Sequence, residues 1–346
     1  MKKDNVKNNQ LKLCDLFSGI GGFRIALEDL GAQCVFSSEI DKDAIESYYL
    51  NFKEYPSGDI TKIHANSIPQ FDILTAGFPC QPFSYAGNLK GFEDKTKGTL
   101  FFDVVRILKH HLPKMFLLEN VKGLKSHNKG ETLKTIVNQL EAIGYSVSWK
   151  IINSLDFGLP QKRERWYCVG FLDDIKFQFP LGDKKITPLR EIIDFTNTDE
   201  KLILSESDKN KIKFHFKNCP VDSENQIRVA HDTSQYCPDS KKSKYGVFSY
   251  LKPDKTLRFH LGDRRKTFMQ ESYFCNLDSY SPTIIKTRAP KLWDLGRHLS
   301  KLECKRLQGI PDNFILNKKA RQQIGNSISV PVVKAIFKEM LLQSNK

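Results

Sequence analysis

A few short segments hold side chains whose types and spacing could do chemistry. Cys80 stands between Pro79 and Pro82, where a stiff backbone can aim a sulfur at a substrate. A thiol attacks as thiolate and ionises near ~8.5 on its own, so it needs a partner that activates the sulfur or the electrophile. Glu119-Asn120-Val121 offers one: a carboxyl held protonated by its surroundings can donate to a ring nitrogen and make a heterocycle electrophilic. Gln161-Lys162-Arg163-Glu164-Arg165 could supply guanidinium forks for a phosphate or a base carbonyl, or be a solvated charged turn. Ser18-Gly19-Ile20-Gly21-Gly22-Phe23-Arg24 is a glycine-rich turn opening a helix, where nucleotide-like ligands sit in doubly wound folds; a ligand-free strand-to-helix turn is the alternative. Glu39 comes twenty residues after Gly19, the spacing for gripping ribose hydroxyls. Arg24 stands where the dinucleotide fingerprint has its third glycine, which argues against a pyrophosphate cofactor and for a nucleoside-type one such as S-adenosylmethionine.

These residues can act together only if the chain brings them to one edge. Leu11–Phe17, Cys34–Ser38, Phe71–Ala76, Met115–Glu119, Ser146–Ile152 and Trp166–Phe171 read as strands. Between them Gly22–Leu30, Ala44–Phe52, Phe101–His111 and Glu131–Ile143 carry apolar residues at helical spacing. The alternation predicts an α/β fold, a doubly wound and mostly parallel sheet covered on both faces. Glu39, Asp59, Gly77-Phe78-Pro79-Cys80 and Glu119-Asn120 all follow predicted strands, which puts them on the carboxyl edge where such sheets bind ligands. From about Leu181 to Pro290 no period is sustained, so this region reads as a separate module of loops or short strands. Ser300–Gln308, with Ser300 as cap and Glu303 three places on, and Val330–Leu342, with Pro331 in its first turn, read as helices.

Across 346 residues, 54 Lys and Arg face 40 Asp and Glu, a formal charge of +14. A surplus of that size suggests a polyanionic partner, most commonly nucleic acid. Lys241–Lys266 holds nine basic residues against two acidic, interleaved with Tyr245, Phe248, Tyr250 and Phe259, and so carries half of the surplus. No run approaches the ~18 apolar residues of a membrane span, and Met1 to Gln10 lacks the apolar stretch of a signal peptide; a cytoplasmic protein is expected, with no membrane partner. Eight cysteines in such a chain do not suggest a disulfide framework. Cys14, Cys34 and Cys168 fall inside predicted strands and are expected to be inert core residues. His215, Cys219, His231 and Cys237 lack the close pair of a structural zinc site, and no metal is expected.

The ordered set Asp15-Leu16-Phe17-Ser18-Gly19-Ile20-Gly21-Gly22-Phe23-Arg24, Gly77-Phe78-Pro79-Cys80-Gln81-Pro82-Phe83-Ser84, Glu119-Asn120-Val121, Gln161-Lys162-Arg163-Glu164-Arg165, Arg306-Leu307-Gln308-Gly309-Ile310-Pro311-Asp312 and Gln323-Ile324-Gly325-Asn326-Ser327-Ile328-Ser329-Val330-Pro331 resembles the bacterial C5-cytosine DNA methyltransferases of restriction–modification systems. The resemblance implies an S-adenosylmethionine-dependent, Rossmann-like methyltransferase domain from residues 1–180 and 318–346. A smaller, mostly irregular or β target-recognition domain with a hinge would span 181–317. It implies that Cys80 adds to carbon 6 of a flipped-out cytosine while Glu119 contacts ring nitrogen 3 and the exocyclic amine. Arg165 would lie near the base and Glu119, Arg163 nearer the substrate backbone. For S-adenosylmethionine it implies Phe17 on the adenine, Gly19, Gly21 and Gly22 beside the methionine part, Glu39 on the ribose, Asp59 and Ile60 at the adenine edge, and Ile40, Pro79, Leu100 and Asn326 around them.

Double-stranded DNA is the implied partner, met by Gln81, Ser84, Arg264 and Arg265, with a monomer and a separately encoded restriction endonuclease as further expectations. Two alternatives differ in kind. The tRNA-methylating branch is disfavoured by Gln81-Pro82-Phe83-Ser84, which looks like the DNA branch; a non-catalytic DNA-binding relative would have lost Cys80 or Glu119, and both are present.

Overall fold

The structure, a computed structural model, describes residues 10–79, 100–183, 185–219, 229–231, 247–261, 270–285 and 289–345. In chain order its first elements are β1 (Lys12–Leu16), α1 (Gly22–Glu28), β2 (Gln33–Ser38), α2 (Lys42–Phe52), β3 (Ile73–Gly77), α3 (Phe101–His111), β4 (Met115–Val121), α4 (Glu131–Glu141), β5 (Ser146–Asn153), β6 (Gln161–Lys162) and β7 (Glu164–Phe171). There follow α5 (Glu206–Asn218), β8 (Val229–His231), β9 (Val247–Leu251), β10 (Leu257–Leu261), β11 (Gln270–Phe274), β12 (Ser281–Pro282), β13 (Lys291–Leu292), β14 (Arg297–His298), α6 (Lys301–Arg306), α7 (Ala320–Asn326) and α8 (Val330–Ser344).

Six strands form one sheet in the order β2-β1-β3-β4-β7-β5. Because side chains alternate along a strand, the sheet divides the core in two. Leu13, Ile73, Met115, Leu117, Val169 and Phe171 face α1 and α8, meeting Phe23, Leu27, Val333 and Phe337. Cys14, Leu16, Leu74, Phe116, Leu118 and Trp166 face α3 and α4, meeting Val104, Leu108, Ile136 and Leu140. The last helix thus shares a core with the first, and Lys334 pairs with Asp29 across them. Burial pushes the thiols of Cys14, Cys34 and Cys168 up and leaves them inert.

β1 to β4 run parallel, but β7 is antiparallel to both β4 and β5. The sequence pattern did not give this reversal. Its cause is the short link between β5 and β7, which is too brief for a parallel crossover and suits an antiparallel return.

The second region contains an antiparallel sheet ordered β11-β10-β9-β8 and the helix α5, capped by Ser205 accepting from Asp208 N. Leu204, Leu257, Phe259 and Phe274 form its small core, with Ile212, Phe216 and Trp293 against them. α6 opens on the expected capping box of Ser300 and Glu303. Among the described residues no helix is long and apolar enough to cross a membrane, and no three His, Cys, Asp or Glu side chains converge as a metal site requires. His215 and His231 both meet the Ser249 hydroxyl, at 2.7 and 2.6 Å; Cys237 lies outside the described residues.

Candidate active site

The chain reverses from β1 into α1 through a turn that needs left-handed backbone at Phe17, Gly19 and Gly21. Ser18 N donates to Ser38 O and Gly21 N to Ser18 O, at 2.9 and 2.8 Å. A Cβ on Gly19 would meet nothing within 4 Å, so the turn leaves open space beside it. A Cβ on Gly22 would stand 2.6 Å from Ile328 Cγ1, so glycine is what lets the loop before α8 close on this turn. Arg24 is committed to other side chains. Its guanidinium is buried between α1 and α2, donating to Glu28, Tyr48 and Glu54 at 2.9, 3.0 and 2.6 Å and lying 4.3 Å over the Phe52 ring.

This turn borders a cavity of about 440 Å³, a size that suits a small-molecule ligand. Phe17, Gly19, Gly22, Glu39, Ile40, Pro79, Leu100, Glu119, Arg163, Arg165 and Asn326 line it together, drawn from both ends of the chain to the carboxyl edge. Glu39 is oriented by three backbone amides: Oε2 accepts from Gly19 N, and Oε1 from Ile40 N and Asp41 N, each at 2.8 Å. Ile40, 66% exposed, presents a bare apolar face at the rim. An aimed carboxylate, an apolar rim and an open glycine turn fit a ribose, a purine ring and a short polar tail, the parts of S-adenosylmethionine.

Two of the expected cofactor residues lie elsewhere. Asp59 spends its carboxylate on Thr61 N and Oγ1, at 3.1 and 2.7 Å, and Ile60 is buried in the core beneath α3. Neither is among the described residues lining the cavity. Each would have to be reached from outside it. Gly21 also stands back: its open side is taken by Phe52, 2.5 Å from where a Cβ would be.

At the other end of the cavity, the β3–β4 register sets Gly77 beside Glu119. Glu119 is buried, and Arg165 Nε lies 3.1 Å from its Oε1. Burial holds the carboxyl above its ordinary range, with Arg165 and then Arg163 pulling it back. Asn120, given no role by the sequence, donates from Nδ2 to Phe78 O at 2.9 Å and accepts from Val121 N at 2.8 Å. It therefore fixes the strand end that leads to Pro79.

Arg163, expected nearer the substrate backbone, is committed to the protein's own backbone. It is 3% exposed and donates to Ser327 O at 2.6 Å and to Gly325 O at 3.2 Å. Burial and the nearby Arg165 push it down to about 9. Its guanidinium holds the loop before α8 against the cavity. The segment Gln161–Arg165 is accordingly no solvated turn. Cys80, Gln81, Ser84, Arg264 and Arg265 lie outside the described residues.

Residues 11–342 match the family described as C-5 cytosine-specific DNA methylase. The chain is 41% identical to the Type II methyltransferase M.NgoBI of Neisseria gonorrhoeae, over 94% of this chain and 92% of that one. It is 39% identical to M.DsaV of Dactylococcopsis salina, over 97% and 87%, and 36% identical to M.HhaI of Haemophilus parahaemolyticus, over 96% and 95%. Among solved structures, the S. pombe Dnmt2 methyltransferase matches with a TM-score of 0.65 at 20% identity, over 97% of this chain and 100% of that one, a likeness of fold.

The sheet is that of an α/β methyltransferase, and the family's methyl donor is S-adenosylmethionine. More narrowly, the chain belongs to the C-5 cytosine-specific DNA methylase family and is a DNA cytosine-5 methyltransferase.

Proposed function

We propose that the chain methylates one cytosine within a short specific duplex sequence, through a covalent adduct on Cys80. The observation that carries this reading is Glu119, a buried carboxyl held towards its neutral form at the cavity wall. The target base leaves the stack, because carbon 6 is inaccessible inside a duplex. The Cys80 thiolate spends its electron pair on a bond to carbon 6, and the ring's π electrons shift to nitrogen 3, where the Glu119 carboxyl supplies the proton. Carbon 5 becomes nucleophilic; S-adenosylmethionine, when bound, supplies the electrophilic methyl group. Glu119 takes the nitrogen 3 proton back, and loss of the carbon 5 proton to solvent expels the thiolate and restores the ring. Arg165 orients Glu119, and Arg163 acts through the loop at Gly325–Ser327 that it holds.

Residues 1–180 and 318–346 would form the catalytic domain and 181–317 the recognition domain, with DNA between them. The basic segment Lys241–Lys266, including Arg264 and Arg265, suits phosphate contacts, and Gln81 and Ser84 would meet the DNA beside the base. A cavity lined by residues of one polypeptide supports a monomer, and a DNA substrate supports work in the cytoplasm. Duplex DNA carrying 5-fluorocytosine tests the nucleophile: carbon 5 then has no proton to lose, so the adduct persists in the presence of S-adenosylmethionine. Wild type should form a complex that survives denaturing electrophoresis and Cys80→Ala should not. Equal trapping by the variant refutes the assignment.

A further inference from the structure

The segment that carries Arg165 is tied to distant parts of the chain, and one side chain holds two of them at once. Gln161 is fully buried. Its Nε2 donates to Leu307 O and its Oε1 accepts from Ile284 N, both at 2.9 Å, so the two ends of one amide clasp two segments more than a hundred residues away. β6 pairs with β12 at Ser281 and Pro282, and Thr283 Oγ1 donates to Lys162 O at 2.7 Å. Along this segment Gln161 holds Ile284 and Leu307, Arg163 holds Gly325 and Ser327, and Arg165 meets Glu119.

Ile284 lies on the connection that runs from the β8–β11 sheet back towards α6. Its amide is held by Gln161, and its carbonyl faces Arg163 Nη1 at 3.5 Å, a long and weak contact. Leu307 ends the helix beyond that connection. The clasp therefore fixes where the second region joins, measured from the strand that bears the catalytic arginine. A buried amide of this kind has no water to replace it, so losing it frees both segments.

We infer that Gln161 is a positioning residue: its amide sets the second region against the Glu119–Arg165 pair, and with it the cleft that receives DNA. The inference rests on the reading that DNA lies between the two regions. Thr283→Val serves as control, since it removes a bond to the same strand and leaves the clasp intact.

The test uses the full chain, S-adenosylmethionine and unmethylated bacteriophage DNA, with steady-state methylation and calorimetric binding of S-adenosylmethionine. Gln161→Met keeps the length and loses both hydrogen bonds. It should raise KM for DNA about tenfold or more, lower kcat by less, and leave the Kd for S-adenosylmethionine within about twofold. Thr283→Val should leave KM unchanged. Should Gln161→Met not fold, Gln161→Asn is read in its place: its amide is one methylene too short to reach both Leu307 O and Ile284 N, so the same rise in KM is expected. A KM within about twofold of wild type in the folded variant, or an S-adenosylmethionine Kd that worsens in step with KM, overturns the inference. Wild-type activity on the same DNA is the separate check on the parent reading.

Discussion

Asp15 lies in the middle of β1, on the sheet face covered by α1, with no exposed surface. Thr75 Oγ1 donates to its Oδ1 at 2.7 Å across the β1–β3 ladder, while Oδ2 has no hydrogen-bond partner among the described residues. Burial drives the carboxyl from 3.8 to about 7, against the pull of Thr75 and Arg24. Below 3.8 the folded and unfolded chains both carry the proton, and Asp15 contributes fully to stability. As pH rises from there to about 7 only the unfolded chain gives the proton up, so stability falls by about 1.4 kcal/mol per pH unit. Over that window the loss is on the order of 4 kcal/mol, a large part of a typical folding free energy of about 5–15 kcal/mol. Asp15→Asn keeps the shape and the bond from Thr75 but has no proton to lose. Urea unfolding at about pH 4.5 and about pH 8 should show wild type losing more stability than the variant, with the gap growing towards the higher pH. At the lower pH the two proteins should differ little, because the protonated carboxyl and the amide each bring a buried donor to the place of Oδ2. All other titrating groups are common to both proteins. Equal pH slopes would show that the carboxylate is accommodated, and the reasoning from burial would fail.

Two further outcomes follow from the cavity. Glu119→Gln keeps a neutral side chain of the same size and removes the transferable proton, so kcat should fall by about 10²–10⁴-fold while S-adenosylmethionine still binds; wild-type kcat should decline as pH rises through the raised carboxyl range, and a variant turning over at the wild-type rate would remove Glu119 from the chemistry. Gly22→Ala drives a methyl group to within 2.6 Å of Ile328 Cγ1, which should destabilise the fold by about 1–3 kcal/mol and weaken S-adenosylmethionine binding. Melting and calorimetry check both effects, and an unchanged protein on both counts would mean that the Gly325–Ile328 wall yields easily.

The sheet was legible because its code is local. Leu13 against Cys14, or Leu117 against Leu118, names two faces of one strand, and residues just past each strand end fall on the carboxyl edge whatever the rest of the chain does. The direction of β7 was not legible from its own residues, since alternation reads the same both ways. α5 escaped because no apolar stripe marks it: Asp208 and His215 are buried on it, while Phe214 is exposed. Within the site, the lining residues that adjoin strand ends were placed by pattern. The destinations of Asp59, Ile60 and Arg163 depend on partners such as Thr61, the core under α3 and the carbonyls of Gly325 and Ser327. Gln161 is the sharpest case, for both ends of its amide reach backbone groups that carry no mark in the sequence.

The geometry around Glu119 also explains how a carboxyl can be held above its ordinary range beside two arginines. A bidentate fork would stabilise the ionised form strongly, but the nearest approach of Arg165 is by Nε, 3.1 Å from Oε1, and its Nη1 donates to Glu164 O instead. Arg163 is already committed to neutral carbonyl acceptors, so it acts on Glu119 only at a distance. On the other side Oε2 lies at ordinary contact distance, 3.8 Å, from where a Cβ on Gly77 would stand. Burial then outweighs one weak ion pair and one remote charge. The same arrangement makes Arg163 the more informative arginine to alter. If its task is to hold the Gly325–Ser327 loop, losing it removes a wall of the cavity while leaving the Glu119–Arg165 contact in place, whereas losing Arg165 strips the carboxyl of the one side chain that orients it.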